Sequence, residues 1–318
     1  MSKMGFDDFK KEVVDNVVKY LPESFHGAEV GLNVVTKPND VVLTGLTIRK
    51  AGSRMAPTIY LEEFYSQIES GDDIGVVLRR IADMRMANDV EDLDFDDLLD
   101  FEKIKDKIFP RLYGAELNSM IVNHRANTRI GDFIVTYILD LGQNEYGKMT
   151  LPVDKEVLSY WNISVEELHR IALQNQHDRY EGVFRSMNEF LRTLMCESII
   201  DEANGGTGME DELFEETIFD TEYDSKMYYI SNNSGVYGAS QLLDEDFMDC
   251  VADKVGDGFY ILPASIHEVI IIPNGDELDL DYMETMVFEI NRAQVSVDER
   301  LSDHVYRYHK GQGFSRAA

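Results

Sequence analysis

Apolar residues recur at helical spacing near the beginning of the chain and then give way to β-type runs. The spacing of residues 6–21 by threes and fours predicts a helix that ends at Pro22. Residues 28–35 and 41–49 are rich in β-branched side chains, and the Lys37-Pro38-Asn39-Asp40 turn between them predicts a hairpin. Helices are predicted over 58–65 and 74–84.

The middle of the chain reads as a strand pair followed by helices. The apolar run 132–141 predicts a buried strand, with 147–153 as its partner. Helices are predicted for 153–162, 164–176 and 183–200. The second of these begins with Ser164 followed three residues later by Glu167, the pattern of a capping box.

The C-terminal part alternates short strands and helices. A hairpin is predicted from 227–231 and 236–243, then a helix over 246–255. Apolar strands 259–262 and 269–272 follow, and an amphipathic segment at 278–292 completes a C-terminal ββαββα unit. Because short turns join neighbouring strands, the predicted fold class is α+β, with antiparallel sheets and packed helices.

One segment interrupts this pattern and divides the chain. Residues 201–224 contain ten acidic and no basic residues, together with three glycines. Such a composition is typical of a linker or loop. We therefore predict an N-terminal α+β region at 1–200, an acidic, glycine-containing linker at 201–225 and the ββαββα region at 226–318.

Charge restricts the classes of partner. Sixty acidic against thirty basic residues give a net charge of −30. Nucleic acids and anionic membranes are bound through clustered Lys and Arg, so direct binding to either is not expected. The same charge favours a basic protein partner and allows mimicry of nucleic acid. The oligomeric state stays open.

Cysteine usage and apolar runs predict a cytoplasmic protein. Cys196 and Cys250 form no CxxC pair and fall within apolar helical patterns, so we expect free, buried thiols in a reducing compartment. The charged N-terminal segment lacks the apolar core of a signal peptide. No run reaches the roughly 18 apolar residues of a membrane span.

Two familiar ligand-binding motifs are incomplete. The glycines at 205, 206 and 208 have no downstream lysine that would make a phosphate loop. The acidic run that starts at Asp92 resembles a calcium loop, but Asp97 replaces its glycine and Lys103 its bidentate glutamate. The sequence therefore predicts no cofactor.

The densest group of reactive side chains is Ser265-Ile266-His267-Glu268, between the two C-terminal apolar strands. In an extended segment Ser265 and His267 share a face, with Cβ atoms about 7 Å apart. Glu268 adjoins four aliphatic residues, where burial would raise its pKa and suit it to general acid or base chemistry. These three residues are the candidate catalytic group. The more common alternatives are that His267 ends a strand and hydrogen-bonds to neighbouring backbone, and that Glu268 faces water at the mouth of a turn or pairs with Arg292 or Arg300.

A metal site is a weaker hypothesis for the same segment. His267-Glu268 begins like an HExxH motif, but position 271 is isoleucine and the segment is β-branched instead of helical. A site would need His267 to meet Asp303 and His304 from a distant segment. These three residues are the candidate ligands.

Two strings resemble a domain-of-unknown-function family of anaerobic Gram-positive bacteria. They are LPxSxHEVI at Leu262–Ile270 and LSDxVY at Leu301–Tyr306, and the resemblance extends from about Phe6 to Tyr308. The family has no assigned activity, cofactor or catalytic residue. The resemblance implies a bacterial cytoplasmic protein and supplies no site to transfer.

Two functional hypotheses follow. The first is a non-enzymatic regulatory or protein-interaction module, including the version that imitates nucleic acid. The second is a hydrolase, metal-assisted or not, centred on Ser265, His267 and Glu268.

Overall fold

The computed structural model describes residues 4–88, 95–144, 147–189, 227–263, 265–275 and 279–317. Antiparallel sheets and packed helices confirm the predicted α+β class. Contacts divide the chain into a first unit, Met1–Pro110 with Ala115–Asn175, and a second unit, Arg111–Gly114 with Gln176–Ala318. The predicted linker at 201–225 lies wholly outside the described residues, so that boundary stays a prediction.

The first unit begins with a three-stranded antiparallel sheet in the order β1-β2-β3. Apolar residues of the sheet and of three helices form one core, which includes Phe9, Leu46, Ile48 and Ile81. The predicted hairpin is confirmed, whereas residues 58–60 form a strand and the helix after them starts at Leu61. The elements are α1 (Phe6–Asn16), β1 (Glu29–Thr36), β2 (Val42–Arg49), β3 (Thr58–Tyr60), α2 (Leu61–Ser70) and α3 (Ile74–Ala87).

The rest of the first unit is built on a long strand, which pairs with three others to make a four-stranded sheet. The strand pair predicted around 132–153 is confirmed. So is the helix start at Ser164, whose hydroxyl accepts the Glu167 N–H at 3.2 Å. The elements are α4 (Phe95–Leu99), α5 (Phe101–Ile104), β4 (Ile108–Gly114), α6 (Ser119–His124), β5 (Asn127–Ile130), β6 (Phe133–Asn144), β7 (Gly147–Pro152), α7 (Lys155–Trp161) and α8 (Val165–Arg179). The last four residues of β4 and the last four of α8 are assigned to the second unit.

The second unit is a six-stranded antiparallel sheet in the order β13-β12-β10-β11-β9-β8. Its elements are β8 (Gly182–Ser186), β9 (Tyr228–Asn232), α9 (Glu245–Val255), β10 (Phe259–Leu262), β11 (Val269–Pro273), α10 (Leu280–Ala293), β12 (Tyr306–His309) and β13 (Gly313–Arg316). Side chains of successive strand residues point to opposite faces, and both faces are used. Leu262 packs with Met283 of α10. Phe259 stacks on Tyr308, whose hydroxyl donates to Asp249 of α9 at 2.8 Å.

Three details of the predicted C-terminal unit are wrong. Residues 236–243 do not form a strand: Gly238–Leu243 is a fully buried 3-10 helix, and Tyr237 before it has a left-handed φ of 56°. Strand β9 pairs instead with β8 and β11, and β8 occupies residues predicted as helix. Cys250 is exposed on α9, while Cys196 lies outside the described residues.

The wrong strand prediction at 236–243 has a physical reason. The apolar pattern of a short run such as 238–243 does not distinguish a buried strand from a buried helical turn. Among the described residues, the strands and α-helices from β9 onward follow the order βαββαββ, which contains the predicted helix 246–255, the predicted strands 259–262 and 269–272, and the predicted amphipathic segment 278–292. In the part of the chain that the structure describes, no helix combines the length and apolar character that crossing a bilayer requires.

Candidate functional site

The Ser265–Glu268 segment connects β10 to β11 and is held by backbone hydrogen bonds on two sides. Ile266 N donates to the Glu299 carbonyl at 2.9 Å, and Ser265 forms a bridge with Arg300. On the other side, Ala239 N of the buried 3-10 helix donates to the Ile266 carbonyl at 3.2 Å. The candidate side chains therefore project from a fixed backbone.

Ser265 is 3% exposed, and its hydroxyl accepts a hydrogen bond from within the same segment. Its Oγ accepts the backbone N–H of His267 at 2.9 Å, so the serine meets its neighbour's backbone instead of the imidazole. The nearby hydroxyl also tends to lower the pKa of Glu268. Burial has the larger effect, and the pKa of Glu268 lies above its usual range. Ser265 therefore lies near Glu268, whereas the sequence had placed it on one face with His267.

The imidazole of His267 has a hydrogen-bond partner at each nitrogen. Its Nδ1 accepts the backbone N–H of Tyr237 at 3.1 Å, so the proton of the neutral ring sits on Nε2. That nitrogen lies 3.4 Å from Oε1 of Glu299, to which it donates. A general base needs an unused lone pair on the ring. In this arrangement the lone pair of His267 is taken up by a backbone amide.

Tyr237 places this imidazole through stacking as well as through its amide. The two rings stack with centroids 5.4 Å apart, and the Arg111 guanidinium lies 3.7 Å from the tyrosine centroid. Burial raises the pKa of Tyr237, against the lowering effect of Arg111. Sequence reasoning missed Tyr237 and Glu299, because neither lies in a motif and both come from segments about 30 residues away.

The proposed metal ligands have other partners. Asp303 accepts two hydrogen bonds of 2.9 Å from Arg292 and one of 2.7 Å from Asn291. Burial raises the pKa of Asp303, but these bonds outweigh it and hold the pKa below its usual range. His304 Nδ1 lies 2.7 Å from an Arg316 nitrogen and 3.7 Å from Oε1 of Glu284. Among the described residues, no three His, Cys, Asp or Glu side chains gather as a metal site would require.

The first unit contains an open groove of about 310 Å³ beside α5 and α8. Charged side chains of both signs line it, and its walls include Glu102, Lys105, Asp106, Glu167 and Arg170. No serine, cysteine or histidine belongs to the lining, and the amine of Lys105 is paired with Glu102 at 2.6 Å. It is a weaker candidate for chemistry than the Ser265–Glu268 segment.

Glu268→Gln is expected to change how the free energy of unfolding depends on pH. The folded state raises the pKa of Glu268 through burial, with opposing effects from His267 and Ser265 and a smaller raising effect from Glu299. A raised pKa stabilises the fold fully below the ordinary value of 4.5, and that contribution is lost as pH rises through the raised value. Tyr229 also faces this carboxyl.

The stability of the glutamine variant relative to the unchanged protein should therefore increase as the pH rises above the ordinary value of 4.5. Urea unfolding at a series of pH values measures it. The control variant is Glu289→Gln, which also removes one carboxylate but does so on the exposed side of α10. A stability difference between Glu268→Gln and the unchanged protein that stays constant over this pH range would contradict the prediction.

Comparison with known families and proteins adds one match. Residues 6–310 match the model of a family described as "Family of unknown function (DUF5688)". No curated protein and no solved structure matches the chain.

Proposed function

We propose a non-enzymatic, protein-binding function for this chain, which belongs to DUF5688, a family of unknown function. The observation that carries the proposal is the net charge of −30. A protein so acidic attracts a basic surface over long distances and repels phosphate backbones. Binding of a basic protein, including a protein that ordinarily binds nucleic acid, is the function that this charge favours.

The exposed ion pairs support the proposal because they can be exchanged for contacts with a partner. Arg54 and Asp96 are paired at 3.2 Å, with side chains 68% and 77% exposed. Lys103 and Asp97 form a second exposed pair nearby. Such pairs contribute about 0–1 kcal/mol each, so a partner's lysine or arginine can replace the internal cation at little cost. We place this binding in the bacterial cytoplasm.

A second candidate is hydrolysis centred on Ser265, His267 and Glu268. The observation in its favour is the nearness of the Ser265 hydroxyl to the half-buried carboxylate of Glu268, whose pKa is raised by burial. Glu268, instead of His267, would then take the serine proton. Against it stands the burial of Ser265, which leaves a substrate no access to the Oγ atom in this conformation.

Capture from a bacterial lysate tests the first candidate. The protein is immobilised beside an unrelated protein of similar net charge, and capture is compared at about 0.1 M and 1 M salt, where the Debye length falls from about 10 Å to about 3 Å. A basic protein should be retained by this chain alone, and its affinity, remeasured with the purified partner, should fall at least about tenfold at high salt.

Absence of any selectively retained protein at both salt concentrations would contradict this function. Hydrolysis of simple esters that disappears in Ser265→Ala would instead support the second candidate. Both measurements use the whole chain, so each candidate is judged on the same preparation.

A further inference from the structure

We propose that the outer edge of β1 (Glu29–Thr36) is a docking site, where an extended segment of a basic partner protein adds to the sheet as a fourth strand. This proposal rests on the proposed function and names the surface that would perform it. The surface is defined by β1 together with the exposed apolar residues Leu32, Val34 and Val42. We call it the β1 edge.

The backbone of β1 is paired on one side only. All eight of its residues are in register with β2, from Glu29 opposite Arg49 to Thr36 opposite Val42. The sheet order ends at β1, and its outer side has no strand partner among the described residues. About half of its N–H and C=O groups therefore point away from the sheet. These are the groups that an added strand pairs with.

The usual protections of an edge strand are absent from β1. The strand reads EVGLNVVT, with no proline and no lysine, and its register runs without a bulge. Native proteins commonly protect a free edge with one of these devices, because a flat edge pairs readily with another chain. An unprotected edge of this length is thus available for pairing.

Apolar side chains continue from the core toward this edge. Val30 lies opposite Ile48 and Leu32 opposite Leu46, and both β2 residues are fully buried in the first core. The next positions on the same face leave the core: Leu32 is 41% exposed, Val34 77% and Val42 62%. A fourth strand would cover this extension of the apolar face with every second side chain.

The end of the hairpin is held in place, so the edge does not have to be ordered on binding. The backbone N–H of Asn39 donates to Oδ1 of Asn118 at 2.8 Å, and Nδ2 of Asn118 donates back to Oδ1 of Asn39 at 2.8 Å. Ser119 donates to Asp40 at 3.1 Å, and Asn118 is fully buried. A preorganised strand loses little conformational entropy when a partner adds to it.

Charge selects a basic segment over a second copy of the chain as the occupant. Each copy carries a net charge of −30, so two copies repel each other. A segment that alternates apolar residues with Lys or Arg would place its apolar side chains beside Leu32 and Val34. Its cations would lie on the opposite face of the sheet, where the side chain of Glu29 is 73% exposed.

The test uses a synthetic peptide of alternating Lys and Val, eight residues long to match β1. One control peptide has the same residues in scrambled order, and a second has methyl groups on alternate backbone nitrogens, which remove the pairing N–H groups but keep the charge. Binding is measured by fluorescence anisotropy, and hydrogen exchange reports protection of residues 29–36. The alternating peptide should bind and protect β1, whereas the methylated peptide should bind at least about tenfold more weakly.

The matched protein variants are Val34→Lys and Val76→Lys. Both replace an exposed valine of the first unit and change the net charge equally, and only the first lies on the β1 edge. Val34→Lys should weaken binding about tenfold, and Val76→Lys less than about twofold.

Three outcomes would overturn the proposal. Equal binding of all three peptides would mean attraction by charge alone, which leaves the protein-binding function standing without this site. Protection of β1 that depends on the concentration of the protein itself, with a dimer in sedimentation, would make a second copy the occupant. Absence of peptide binding or of β1 protection would remove the site. A failure of the proposed function is distinguishable from these outcomes. In that case the capture experiment would retain no basic protein from the lysate.

Discussion

Gly238→Ala is expected to lower the free energy of unfolding by about 2–3 kcal/mol, because the added methyl group has no room. A Cβ atom at this position would lie 2.2 Å from Oγ of Ser231, 2.5 Å from the carbonyl oxygen of His267 and 2.7 Å from the backbone nitrogen of Asn232. Two of these atoms belong to the backbone and cannot rotate away. The Ser231 hydroxyl donates to the same His267 carbonyl at 2.8 Å, so the methyl group would also disturb that bond.

Urea unfolding followed by circular dichroism measures this effect. Gly275→Ala is the matched control, because a Cβ there meets nothing within 4 Å, and it should leave the midpoint almost unchanged. Adding Ser231→Ala to Gly238→Ala removes the nearest of the three clashes and should restore only part of the stability. An unchanged midpoint for Gly238→Ala alone would mean that the 3-10 helix is not packed against β9 and His267 as described.

Arg85→Met is expected to cost about 2–4 kcal/mol, which makes it the second large effect. The arginine is 1% exposed, its Nε donates to the carbonyl of Ile48 at 2.8 Å, and its guanidinium lies 4.8 Å from the centre of the Phe25 ring. Methionine keeps the apolar stem and removes the donor. The Ile48 carbonyl then loses this buried donor, which is the main cause of the expected loss.

The control for charge is Arg79→Met on the exposed side of α3, which should change stability by less than about 0.5 kcal/mol. Arg85→Lys separates charge from geometry, since a lysine is a single donor on a flexible stem and replaces the planar guanidinium poorly. If Arg85→Met unfolded at the same urea concentration as Arg79→Met, the hydrogen bond to Ile48 would not be a significant support of the first core.

Local sequence patterns predicted the elements whose conformation is determined by residues close to them in the sequence. The β1–β2 hairpin follows from a turn sequence between two β-branched runs. The start of α8 follows from the Ser164 side chain. Residues 238–243 could not be read in this way, because their conformation depends on packing beneath His267 and on the left-handed turn at Tyr237. No local preference indicates such a turn at a tyrosine.

The candidate site could be predicted in part for the same reason. The sequence placed Ser265, His267 and Glu268 in one segment. It gave a buried Glu268 with a raised pKa as one alternative, beside a glutamate that faces water or pairs with Arg292 or Arg300. It could not predict the hydrogen bonds of His267, which involve an amide at position 237 and a carboxylate at position 299. Those partners decide which nitrogen of the imidazole carries the proton. The role of a histidine therefore needs the fold as well as the motif.

The pairing of β8 with β9 has a consequence for the chain between them. Ser186 lies opposite Tyr228, and Met187 N donates to the Met227 carbonyl at 2.9 Å, so the chain leaves and re-enters the sheet at adjacent points. Strand pairing thus fixes where this segment begins and ends, so a change in the number of residues within it does not by itself shift the register of β8 against β9.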